Sequence, residues 1–425
     1  MNAPQPPFRV PTIIKRNMTL FALSQCFTGA GMSFAFGLGP LMVIALTGSS
    51  ALAGLSVGLI GLSRFFVSYP VGKITDTFGR KPGILLGLTL ALIGALITGS
   101  SMSFQSFTVL VFGMLFFGMG MNGAQQLRVA ATDMFPPNRR AQALGYLALG
   151  SLVGLVVSPA VISAAETSST SLGQDPLGLP WLMLPILIVP GMIIISFVRP
   201  DPKEIGMNLH QYYPGYVAPQ RAVPADAPKF KASSLWRDPQ MRLAILANCA
   251  GQGNMSIVMV LTSLVLHHHG HSLTAIALAH SFHSAGMFAF TIPLGKLCDR
   301  VGREQVMLPG IATSLVGAAL VAFTGDWWSV TLGTFLVGLG WAASNVAATA
   351  MIADRYATHE RGRAIGVNES FAGGTAVAMA LVTGPLVEYS GLPATGLVAV
   401  LIALPPLTLW LTRRLRARTA EPQTP

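Results

Sequence analysis

Charge is what this chain has least of: Asp, Glu, Lys and Arg make up 10% of its 425 residues, while 52% are hydrophobic and the mean hydropathy is +0.59. That balance excludes a water-soluble globular fold. Cysteine is nearly absent too. Cys26 and Cys249 fall inside apolar runs and Cys298 in a polar segment, which excludes a disulfide framework. No Gly-x4-Gly-Lys-Ser/Thr loop is present to cradle a nucleoside triphosphate, and no nucleophile elbow marks a hydrolase. Neither an enzyme nor an ATP-driven pump is indicated.

What the chain does have is about twelve apolar runs, each long enough to cross ~30 Å of hydrocarbon. The first lies near 18–44 and the last near 392–412. The net charge of +11 could suggest a nucleic-acid partner, but its distribution argues for a lipid bilayer instead. All of the Lys and Arg except Arg64 lie in the tails, in the even-numbered segments between runs, or at run ends beside them. The odd-numbered segments hold Glu166, Asp175, Asp326 and a four-histidine turn. By the positive-inside rule, both termini and the long central segment are expected in the cytoplasm of a bacterial inner-membrane protein, with the histidine turn outside. Arg9, Lys15 and Arg16 precede a first run too long for a signal peptide, which reads as a retained anchor.

The runs form two halves. Segment 199–241, with seven prolines from Pro200 to Pro239, is too proline-rich for one helix and reads as a cytoplasmic linker between residues 1–198 and 242–425. Gly72, Asp76, Gly79 and Arg80 recur as Gly295, Asp299, Gly302 and Arg303, and Asp133, Arg140 and Gly145 recur as Asp354, Arg361 and Gly366. Such duplication marks an internal repeat. The repeated Gly-x-x-x-Asp-x-x-Gly-Arg element resembles the major facilitator superfamily. That resemblance implies an all-α membrane protein of twelve transmembrane helices in two pseudo-symmetric six-helix bundles, working by alternating access. It also implies that the motif residues, Asp76 above all, gate the conformational change. The arginine many proton-coupled members carry in helix 4 would fall near Met114, and the helix 5 antiporter pattern survives only as Gly145, Gly154, Ser158 and Pro159. Both departures weaken a proton-coupled efflux reading. Arg64 and Glu369 are the most deeply placed charges, and we expect them to pair as a cytoplasmic latch.

One stretch carries specific chemistry. In the seventh run Met255 and Met259 stand four apart, and in the eighth His283 and Met287 do the same. At 100° per residue, four steps leave each pair about 40° out of line, on one face of a helix. Counting down from the turn in an antiparallel hairpin puts Met259 level with His280, and Met255 level with His283 below them. His267, His268, His269 and His271 cap the hairpin and are candidates for metal capture. Thioether and imidazole suit monovalent copper. Cys26 and Met32 lie 223 residues before Cys249 and Met255, which makes Cys26, Met32 and Cys249 candidates for further ligands, although methionine is also ordinary packing.

The Met-x-x-x-Met and His-x-x-x-Met pair also resembles the signature of the CcoA-type bacterial copper importers. What this implies is copper as the transported substrate, carried from periplasm to cytoplasm, with copper chaperones as partners and no tightly bound cofactor. Relatives that handle other substrates, riboflavin among them, are similar over the remainder. The competing reading keeps the fold and changes the cargo to an organic solute or drug, with Phe34, Phe36, Trp341 and Phe371 in an apolar cavity. A third reading is a metal sensor that binds copper without moving it.

Overall fold

The computed structural model describes residues 10–29, 31–136, 139–214, 216, 231–356 and 358–420. Among them every regular element is helical: α1 (Thr12–Thr28), α2 (Gly31–Thr47), α3 (Leu55–Phe78), α4 (Arg80–Ser103), α5 (Phe107–Ala124), α6 (Gln126–Asp133), α7 (Arg140–Ser168), α8 (Leu179–Met183) and α9 (Pro185–Ser196), then α10 (Pro202–Met207), α11 (Leu209–Tyr212) and α12 (Ser233–Arg237) in the central segment, and α13 (Pro239–His268), α14 (Leu273–Ala289), α15 (Thr291–Val301), α16 (Arg303–Phe323), α17 (Trp327–Arg355), α18 (Thr358–Ser390) and α19 (Leu392–Ala420). Eleven stretches of the described residues are long and apolar enough to cross a membrane, and α14 with α15, bent by 41°, makes a twelfth. Pro293 explains the bend. It lacks an N–H, and its ring crowds the carbonyl four residues back, at Ala289, where α14 ends. The chain is a multi-pass membrane protein.

The repeated motif closes in the same way twice. Gly79 and Gly302 adopt φ of 108° and 101°, a region open to glycine, and each starts a helix there. The arginine that follows binds two carboxylates: Arg80 meets Asp76 at 3.0 Å and Asp133 at 2.7 Å, and Arg303 meets Asp299 at 2.9 Å and Asp354 at 3.1 Å. Gly72 and Gly295 have open space where a side chain would begin.

Glycine also sets the helix spacing. A Cβ at Gly94 would fall 2.1 Å from the backbone N of Phe117, across α4 and α5. At the repeat-related pair α16 and α17, one at Gly317 would fall 2.4 Å from the Gly333 carbonyl. Small residues let backbones touch where lipid offers no hydrophobic drive to association. The same device presses α17 onto α14, where a Cβ at Gly338 would lie 2.3 Å from the His283 carbonyl oxygen. Gly338→Val should therefore force α14 and α17 apart at a cost of about 1 to 3 kcal/mol or more. The check is the melting temperature of the purified protein, which should fall; an unchanged value would mean that the contact relaxes freely.

Two compact units emerge: Met1–Ala35 with Leu59–Ala222, and Phe36–Gly58 with Val223–Pro425. Phe36–Gly58, expected in the first half, thus packs with the second. The cause is again close backbone approach, since a Cβ at Gly54 would sit 1.7 Å from the Ala380 carbonyl and one at Gly384 2.3 Å from that of Ala51. Glu388 finishes the contact. Its Oε2 accepts from Ser49 Oγ at 2.6 Å, Ser50 Oγ at 3.2 Å and Ala51 N at 2.6 Å.

The beginning of the central segment is more than a connector. Asp201 accepts hydrogen bonds from the backbone N–H groups of Arg80 (2.9 Å) and Lys81 (3.0 Å), capping α4, and from Lys203 (2.9 Å), capping α10. Gly79 makes room, for a Cβ there would lie 2.7 Å from the Asp201 carboxylate. Lys203 Nζ donates to the Asp76 carbonyl. Tyr213, fully buried, donates to the Met134 carbonyl at 3.2 Å, and burial pushes its phenol up to about 12.

Candidate functional site

The site grows from α13. Asp238 caps its start by accepting from Gln240 N at 2.8 Å, Pro239 occupies the first turn, and no glycine lies between Pro239 and Ala250. Asn248, Gln252, Met255, Met259 and Ser263 follow one another at steps of three or four, so they share a stripe about 80° wide. Antiparallel to it, α17 carries Thr334, Trp341 and Asn345 within about 40° of arc.

At the end of the stripe nearer the central segment the two helices are tied by amides. Asn345 Nδ2 donates to Asn248 Oδ1 at 3.2 Å, and one turn farther along Trp341 Nε1 donates to Gln252 Oε1. From α18, Glu369 inserts Oε1 among three amide donors, Asn248 and Asn345 at 3.5 Å and Asn368 at 3.4 Å. A carboxylate only accepts, so it turns every amide nitrogen toward itself and fixes which way each asparagine points. Among the described residues Glu369 Oε2 receives no hydrogen bond, and the buried Asn368 Oδ1 has no partner. Cys249 lies beside this group, near Thr375 and Glu369.

Toward the histidine turn the chemistry changes. Ser263 Oγ donates its one proton to the Phe36 carbonyl at 2.9 Å and meets His280 Nε2 at 3.0 Å. The hydroxyl must therefore accept from His280, which leaves the lone pair of that ring on Nδ1. His283 Nδ1 lies 2.8 Å from the Thr334 carbonyl and must donate, which leaves its lone pair on Nε2. Both lone-pair nitrogens are buried without a partner among the described residues. Both rings are 2% exposed, Met259 1%, Met287 8%, and Met255 is half-buried.

The counted tiers are shifted. His280 faces Ser263, which lies four residues, ~6 Å, nearer the turn than Met259. The helix α13 stays regular through His267 and His268, so the chain reverses later than the count assumed. His283 is turned toward α17. The four histidines of the turn do not converge on one point: the exposed His268 and His269 rings meet edge-on at 5.5 Å, His267 is exposed, His269 Nδ1 bonds the Val265 carbonyl at 2.8 Å, and His271 Nε2 bonds the Gly325 carbonyl at 3.4 Å. Among the described residues no three His, Cys, Asp or Glu side chains come close enough to hold a metal.

Cys26 and Met32 belong to the first unit and Cys249 to the second. Cys26 Sγ lies 3.2 Å from the Ala22 carbonyl of its own helix. Arg64 is exposed, engaged in interactions of its own and in the other unit from Glu369, whose carboxylate is answered by amides instead. Of the aromatics expected around an organic solute, Trp341 on α17 contacts the stripe through Gln252, Phe371 stacks edge-on against Trp236 at 5.0 Å, and Phe34 packs on Trp181 at 6.2 Å in the first unit. Asn248, Asn345 and Asn368 were not expected from the sequence, although Asn248 and Gln252 continue the spacing of Met255 and Met259.

The sequence profile of the Major Facilitator Superfamily matches residues 21–247 and 243–425. Among curated proteins the chain is 27% identical to the riboflavin transporter RfnT of Brucella anthropi, over 96% of this chain and 99% of that one. It is 25% identical to the uncharacterized MFS-type transporter YdeG of Bacillus subtilis, over 95% and 94%. Among solved structures, the nucleoside transporter NupG superposes with a TM-score of 0.69 at 13% identity, covering 94% of this chain and 99% of that one, a likeness of fold alone.

Proposed function

The chain belongs to the Major Facilitator Superfamily, and on that premise we propose that it carries a polar organic solute across the bacterial inner membrane by alternating access, with both termini in the cytoplasm. The observation that carries this reading is the group formed by Asn248, Asn345 and Glu369. Amides offer donors and acceptors side by side, as a multifunctional organic molecule requires, and a soft metal ion gains little from them. Similarity along the whole length to a riboflavin transporter supports a heterocyclic cargo. Cells lacking their own uptake system should accumulate labelled riboflavin when they express this protein, and Asn248→Leu should reduce the rate. Accumulation at the vector level for riboflavin and for a panel of other polar heterocycles would overturn the reading.

The imidazole pair favours a second reading, copper import. The unpartnered Nδ1 of His280 and Nε2 of His283 are what an incoming cation would take, and metal-binding histidines commonly donate their other nitrogen to a fixed oxygen, as these do. Met255, Met259 and Met287 would add thioethers, and His267, His268, His269 and His271 would collect the ion outside. A monovalent cation entering the cell gains ~2.3 kcal/mol per 100 mV, so no further coupling is needed. Under this reading radiocopper uptake is lost in Met259→Leu and His283→Ala. Unaltered copper accumulation in both variants would rule it out.

A further inference from the structure

We infer that the group around Glu369 recognises the imide edge of a planar heterocycle, the carbonyl, N–H, carbonyl sequence of a uracil or isoalloxazine ring; this rests on the organic-cargo reading above. The argument is a count of what the network leaves unused. Glu369 Oε1 is occupied by three amide donors, whereas Oε2 receives none from the described residues and is a free, charged acceptor. Asn248 spends one N–H on Glu369 and its oxygen on Asn345, leaving a second N–H. Gln252 spends its oxygen on the Trp341 indole, and the donor-only indole fixes the amide so that its NH2 group is left over.

Gln252 stands one turn above Asn248, and Glu369 packs against Asn248. Together the three supply two amide donors and one carboxylate acceptor. An imide carries the complement, two carbonyl acceptors flanking an N–H donor. A carboxylate facing the imide N–H makes the central bond charge-assisted and therefore the most discriminating of the three. Beside it the half-buried Trp341, its ring held by Gln252, supplies a flat apolar face of the kind on which a heterocycle stacks. A site built to hydrogen-bond an N–H rejects an analogue that lacks it, because its own buried groups are then left unpaired.

The test uses the full-length protein, purified and reconstituted, with tryptophan fluorescence quenching as readout. Riboflavin and riboflavin methylated on its imide nitrogen are the probes. In the wild type, methylation should weaken binding about 10- to 100-fold. In Glu369→Ala the unmodified probe should weaken to a similar degree and methylation should then matter little. Gln252→Leu, which leaves the carboxylate in place, should weaken both probes while preserving the preference between them. Methylated and unmodified riboflavin binding within twofold of each other in the wild type would overturn the imide assignment while leaving the carrier reading intact. Absence of uptake for every organic solute would instead remove the reading on which it rests.

Discussion

Replacing Asn345 with leucine should lower the initial rate of solute uptake by about 10- to 100-fold, with the protein still inserted and monodisperse. Asn345 is the hinge of the amide group, since its Nδ2 donates both to Asn248 Oδ1 and to Glu369 Oε1. Leucine fits the volume but deletes both bonds. Hydrogen bonds to charged groups are worth about 1.5 to 3 kcal/mol net, and a carboxylate left short of donors in a weakly polar interior adds its desolvation cost. Through the factor of ten per ~1.4 kcal/mol, that range spans one to two decades. Asn345→Asp should be at least as damaging, because a second carboxylate would face Glu369 across the same gap. Uptake kinetics in whole cells, normalised to protein in the membrane, decide the matter. A leucine variant with wild-type rates would mean that the amide group is structural filling.

Asp201→Ala should lower the melting temperature by roughly 4 to 8 °C. One carboxylate there ends two helices, accepting from Arg80 N and Lys81 N at the start of α4 and from Lys203 N at the start of α10. Loss of a cap costs about 1 kcal/mol, so two caps lost together cost about 2 kcal/mol, and at roughly 2 to 4 °C per kcal/mol for a unit of this size the stated range follows. Asp201→Asn, which keeps one acceptor oxygen, should lose about half as much. Thermal unfolding of purified variants checks this. Equal melting temperatures for wild type and Asp201→Ala would show that water replaces the carboxylate at no cost.

Much of the architecture could be read without coordinates because membranes impose few choices. Apolar length, the duplicated Gly-x-x-x-Asp-x-x-Gly-Arg element and the proline-rich middle all report on it directly. The recurrence of Asp76 and Arg80 as Asp299 and Arg303, and of Asp133 as Asp354, was visible in the repeat, whereas the bridge from each arginine to the second carboxylate was not. The amide group could not. Asn248, Asn345 and Glu369 are separated by tens of residues; Glu369 stands out as a deep charge, but its expected partner was Arg64, and only helix packing shows that it meets the two asparagines. Asp201 was hidden differently, since proline density marks the end of a long helix but says nothing about which backbone groups the next residue caps. The level of His280, which meets Ser263 and not Met259, was missed on a detail of register, because a hairpin's depth count depends on where the last helical turn stops. Phe36–Gly58 joined the second unit through glycine contacts at Gly54 and Gly384 that leave no periodic signature.

The stripe on α13 changes character along its length, from Asn248 and Gln252 through Met255 and Met259 to Ser263 with its imidazole neighbour, while Ala250, Ile257, Val258 and Leu261 on its other faces are fully buried or nearly so. Cargo preference and mechanical integrity are thereby written on different sides of one rod. A lineage could exchange amides for thioethers, or the reverse, one position at a time and keep a working chassis throughout. Descendants of a single ancestral carrier would then be expected to diverge in diet long before they diverge in shape.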